Sequence, residues 1–165
     1  MTENAPRPSR RTVLRGAAWS VPLIAAAAAT PLAAASTVTD VGAFRLVGSC
    51  GVLGLLGPGF TLTAGDQPLP VGTGIVINGS GVADIGDFSA SGGTAVVTVL
   101  SGTSRSVTLT APLPAGATVA LRTTLSIEVA FTMEATASLP AGYAAGAGAK
   151  PTGAVSSSLI LCSAS

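Results

Sequence analysis

The chain has 165 residues, eight Lys and Arg against seven Asp and Glu, no His, and only 9% charged residues. Without His, Ser-His-Asp and Cys-His catalysis, His metal sites and histidine pH switching are excluded. The remaining charge is too sparse to give an electrostatic footprint for nucleic acid or anionic lipid.

At the N-terminus, Ser9-Arg10-Arg11-Thr12-Val13-Leu14-Arg15 heads an apolar run that ends near Leu32 and exits through Ala33-Ala34-Ala35-Ser36. A basic start, an apolar middle and a small-residue exit are the pattern of an export signal. Arg10 and Arg11 present planar forks suited to bidentate capture by carboxylates. With Leu14 three places on, the stretch resembles a twin-arginine translocation signal, with Val13 where that family favours Phe. The resemblance implies a twin-arginine translocase and a signal peptidase as partners, and export of an already folded protein. Ala33 and Ala35 supply the small residues for cleavage after Ala35, and Pro31 breaks any helix before them. The apolar run is interrupted by Pro22 and Pro31 and is shorter than the roughly 20 residues of a spanning helix, so no stable membrane anchor is expected. Residues 1–35 are therefore read as a signal peptide and 36–165 as one domain. That domain keeps Arg45, Arg105, Arg122 and Lys150 against six acidic residues, a net charge of −2.

Strands are expected at Ala43–Ser49 and Gly59–Thr63. Between them, Val52-Leu53-Gly54-Leu55-Leu56-Gly57-Pro58-Gly59 is apolar and glycine-rich; it reads as a crossing over the end of the core, with an exposed contact patch as the rival. Gly74–Ile77 and Val82–Phe88 flank Asn78-Gly79-Ser80-Gly81, which predicts a hairpin. Asn78-Gly79-Ser80 is also a glycosylation acceptor, which the turn explains. Thr94–Leu100 and Arg105–Ala111 flank Ser101-Gly102-Thr103-Ser104, a second hairpin. From Leu121 to Glu134, apolar residues hold the odd positions through Val129, Phe131 and Met133, and polar ones most of the even positions. This period of two predicts one half-buried antiparallel strand, long enough to need a bend or bulge. Residues 142–153 read as a loop and Ser157–Cys162 as a last strand. Leu69-Pro70-Val71-Gly72, Leu113-Pro114-Ala115-Gly116 and Leu139-Pro140-Ala141-Gly142 repeat one turn chemistry, with Pro at the first corner and Gly in the fourth place.

Seven to nine short strands with regular turn signals predict an all-β, antiparallel sandwich, with a closed barrel as the alternative. The pattern resembles the immunoglobulin-like domains of bacterial surface proteins, although no Trp lies between the cysteines. The composition is similar to that of actinobacterial exported proteins. Cys50 and Cys162, an even pair in an exported chain, are expected to form a disulfide.

Asp84 and Asp87 bracket a glycine and could help hold Ca²⁺, but further oxygen ligands are lacking and solvated strand ends are favoured. Glu128 and Glu134, read as sharing one strand face, would be roughly 20 Å apart, too far for a glycosidase pair. Lys150, the lone Lys, falls in the expected loop and is no partner for a nucleophilic Ser. No catalytic, cofactor or metal residues are assigned. The sequence thus points to a non-enzymatic structural or interaction module of the cell envelope or extracellular space, able to self-associate through unguarded strand edges. The alternative is a carrier of an apolar small molecule, which needs a deep aromatic-lined cleft.

Overall fold

Residues 37–52, 56–158 and 161–165 are described in the computed structural model of the chain. The expected export signal, with Arg10, Arg11, Leu14, Ala33 and Ala35, lies outside them. Within the unit Val38–Ser165 the strands are β1 (Thr39–Asp40), β2 (Arg45–Ser49), β3 (Gly59–Thr63), β4 (Gly74–Ser80), β5 (Phe88–Ser91), β6 (Ala95–Ser101), β7 (Ser104–Leu109), β8 (Thr118–Thr123), β9 (Phe131–Ser138), β10 (Tyr143–Ala144), β11 (Thr152–Ser158) and β12 (Leu161–Ala164). No helix occurs among the described residues. One antiparallel sheet has the order β12-β11-β9-β4-β7-β6 and the other β2-β3-β8-β5; β1 and β10 make a small parallel pair.

Both large sheets contribute to one core, an arrangement consistent with a β-sandwich. Phe60, Leu62, Val119 and Leu121 come from the four-stranded sheet; Ile75, Ile77, Val107, Met133 and Val155 come from the six-stranded one. In β3 and β8 the register sets Phe60 against Leu121 and Leu62 against Val119, so large apolar side chains pair across strands on the inner face. In β9 the alternation is complete, with Phe131, Met133, Ala135 and Ala137 buried and the residues between them exposed.

The expected single strand over 121–134 is two strands in different sheets. β8 ends at Thr123, and β9 begins at Phe131 on the far side of the core. Ser126 turns the chain between them: its hydroxyl accepts from the Glu128 amide at 3.2 Å, and its carbonyl accepts from the Val129 amide at 3.3 Å. The odd–even pattern persists into the crossover, where Leu125 still packs against the core and Ile127 is half-buried. Val129 does not, and is 43% exposed.

The expected hairpin at Asn78-Gly79-Ser80-Gly81 is also corrected. β4 continues through Asn78, Gly79 and Ser80, pairing Asn78 with both Ser104 and Glu134 and Ser80 with Thr132, and ends before Gly81. Gly79 is needed for space rather than for a turn: a Cβ there would overlap Ile85, whose fully buried side chain plugs this end of the core. Residues 82–87 are therefore an irregular segment, and β5 pairs with β8 instead of β4. The second expected hairpin is present as β6 and β7, with a register shift between Val99 and Ser101.

The three Leu-Pro-x-Gly repeats do build turns, one residue out of the expected frame. The amides of Thr73, Ala117 and Tyr143 bond to the carbonyls of Pro70, Pro114 and Pro140. Proline thus occupies the first place and Gly the third. Gly72, Gly116 and Gly142 have φ of 85°, 71° and 87°, which suits the third place of a type II turn. Leu69 and Leu113 are buried and exchange two backbone hydrogen bonds with each other, of 2.9 and 3.0 Å.

The expected strand Ser157–Cys162 is shared between two: Ser157 in β11 stands opposite Cys162 in β12, with 159–160 outside the described residues. Lys150 is not in a free loop, since its amide donates to the Phe44 carbonyl and its carbonyl accepts from the Leu46 amide. Among the described residues twelve strands are present beside the expected seven to nine, the additional ones including the two-residue β1 and β10.

One side of the sandwich is drawn together. Cys50, just after β2, and Cys162 in β12 form the disulfide, with Cα atoms 5.8 Å apart. The Gly48 amide donates to the Ser165 carbonyl at 2.8 Å. Gly48 and Gly153 let the two backbones meet; a Cβ on Gly48 would overlap the Ala154 carbonyl. The arrangement is neither an open sandwich on that side nor a continuous barrel, because β2 and β12 share no ladder.

Candidate interaction surface

Arg105 organises the end of the sandwich near the β6–β7 turn. It lies on the inner face of β7 and is only 2% exposed. Nη1 donates to the carbonyls of Ser101, Gly102 and Ser104; Nη2 donates to the Gly86 carbonyl at 2.9 Å and to Asp84 Oδ1 at 3.0 Å. The same Asp84 oxygen accepts the Gly86 amide at 2.6 Å. Further along the segment, the Ile85 carbonyl accepts from the Thr123 hydroxyl, and Asp87 exchanges backbone and side-chain bonds with Thr124. Asp84 therefore closes a loop by ion pairing, and Asp87 belongs to the adjoining strand end. Among the described residues no group of three or more His, Cys, Asp and Glu is placed to hold a metal.

Glu128 and Glu134 do not share a strand. Glu128 belongs to the crossover and Glu134 to β9, and both are exposed. Lys150 is exposed as well, beside Arg45 in a parallel bridge.

Of the apolar stretch at 52–59, only part lies among the described residues. Pro58 and Gly59 are covered, while Val52 and Leu56 are about half exposed. Those two residues bond each other's amides and carbonyls at 2.8 Å. Residues 53–55 lie outside the described set. A shallow cleft of about 440 Å³ separates Val52 and Leu56–Pro58 from Thr123–Glu128. A second, of about 410 Å³, lies among Pro68, Pro70, Pro112 and Tyr143. Tyr143 is the single aromatic lining either one. Phe44, Phe60 and Phe131 are packed in the core, and Phe88 lies half-buried against it.

The outer side of the six-stranded sheet and its β6 edge present a further surface. Thr132, Thr136, Ser138, Thr152, Thr108 and Thr98 are exposed there, with Glu134 among them. At the edge, β6 exposes Val96, Val99 and Leu100. The run from Thr94 to Ser104 has neither a charged residue nor a proline, and that was the sequence signal for an unguarded edge. Its place at the end of a sheet was not readable from the run itself. Compared with known proteins, the chain matches no family model, no curated protein and no solved structure.

Proposed function

We propose that the chain is an exported, non-enzymatic structural or interaction module of the cell envelope or extracellular space. The observation that carries this reading is the long, uncharged and apolar β6 edge beside a sheet face of Thr and Ser, a surface suited to adding strands rather than to holding a substrate. Two further features support it. The disulfide fits an oxidising compartment. The segment around Arg10, Arg11 and Leu14, with Ala33 and Ala35 at its exit, fits delivery there by a twin-arginine translocase and a signal peptidase. A likeness to immunoglobulin-like surface domains belongs to the same proposal; it is supported by the two facing antiparallel sheets and an inter-sheet disulfide, here at edge strands. The alternative of an apolar-ligand carrier gains nothing from the aromatic residues, three of which are consumed by the core.

Fractionation of the producing cells with N-terminal sequencing tests the reading. The expected chain begins at Ser36 and is recovered on envelopes or in the medium. Lys in place of Arg10 and Arg11 should leave precursor inside the cell. Cytosolic protein with an intact Met1 would overturn the proposal.

A further inference from the structure

β6 ends the strand order of the six-stranded sheet and pairs only with β7. The Thr110 amide donates to the Thr94 carbonyl, which fixes the alternation along this ladder. Val96 and Thr98 turn their backbone groups toward β7; Ala95, Val97 and Val99 turn theirs outward. Among the described residues, nothing bonds the outward groups of Val97 and Val99. The remaining edges are short or engaged. β5 and β12 have four residues each, and β12 is held by the disulfide. The amides of Leu46 and Gly48 in β2 are taken by Lys150 and Ser165.

β6 also reads almost the same in both directions about Thr98: Val97 mirrors Val99, and Val96 mirrors Leu100. An antiparallel copy centred on Thr98 sets Val97 against Val99 as reciprocally hydrogen-bonded pairs and Val96 against Leu100. The two Thr98 side chains then face each other at the two-fold axis, in the close, non-hydrogen-bonded position. We propose that the partner of this edge is a second copy of the same chain, joined β6 to β6 so that one sheet runs through both. This rests on the interaction-module reading and names its partner. One short strand buries little beside the ~1,600 Å² of a standard stable interface. The dimer therefore belongs to high local concentration.

Sedimentation velocity over a concentration series, on protein isolated from the cells that make it, tests the pairing. Wild type should dimerise with concentration. Thr98→Lys and Thr98→Glu should each weaken the dimer roughly fivefold or more, because like charges then meet at the axis. An equimolar mixture of the two should restore it, since only a two-fold contact sets residue 98 against itself. Val99→Lys, at the most exposed large apolar residue of the strand, supplies a second lesion should either variant fold poorly. A wild type monomeric throughout, an undiminished Thr98→Lys dimer, or a mixture no tighter than its components overturns the proposal. Envelope retention is scored separately. A monomeric wild type that still binds envelopes defeats the pairing and spares the module reading; a dimer of the stated register that accumulates in the cytosol does the reverse.

Discussion

Replacing Arg105 by Met separates a web of carbonyls from a single ion pair. The guanidinium donates to the carbonyls of Ser101, Gly102, Ser104 and Gly86 and to Asp84 Oδ1. Hydrogen bonds from a charged donor are worth about 1.5–3 kcal/mol each. Much of that returns in the variant, since Ser101 and Gly102 are exposed and their carbonyls regain water. Met keeps the packing of the stem and removes the buried Nε, which has no partner. The expected net loss is about 3 kcal/mol, at the lower end of the cost of breaking a buried charged network. Asp84→Asn should cost at most about 1 kcal/mol, because the Asp84 side chain is 63% exposed and the pair is screened. Urea unfolding with the disulfide intact, at low and high salt, measures both. The midpoint should fall with little change in slope. The Arg105→Met loss should persist in high salt, where the Asp84→Asn loss fades. Equal losses for the two variants would refute the reasoning, since the ion pair alone would then be the anchor.

Three further outcomes follow from the packing. Val129→Asp should shift thermal unfolding little, by about 0.5 kcal/mol or less as at other surface sites, whereas Met133→Asp, fully buried in β9, should prevent folding, with protease resistance as the readout. Gly48→Ala should destabilise by at least about 2 kcal/mol, as overpacking does, because its Cβ would overlap the Ala154 carbonyl; Gly116→Ala, with nothing within 4 Å but φ at 71°, should cost about 1 kcal/mol from the backbone alone. Denaturant melts compare the two. Cys50→Ala with Cys162→Ala should cost roughly 4–5 kcal/mol on the loop-entropy estimate, for a sequence separation of 112. Loss of the difference between oxidised and reduced wild-type melts would count against that figure.

Local chemistry was legible wherever it acts alone. The alternation in β3 and β9, the β6–β7 hairpin and the three proline turns follow from neighbouring residues, and the cysteine pair follows from its even number and expected compartment. Asn78-Gly79 misled because a glycine that frees a turn and a glycine that makes room look alike in a sequence. Only Ile85, brought back from outside the strand, tells them apart. The candidate surface was half legible. The run from Thr94 to Ser104 displays its lack of charge, but whether a strand lies at an edge depends on every other strand in its sheet.

The amino-acid order by itself determined strand chemistry, the presence of the three proline turns and the inward parity within single strands, since each arises from contacts within a few residues. Tertiary structure alone decided that 121–134 crosses between layers, that Val129 ends up in water, and that Arg105 is buried among carbonyls. Both sheets present their apolar side inward, so an odd–even pattern can run through a crossover without revealing it. A period of two therefore records which way a side chain points and never which sheet it belongs to.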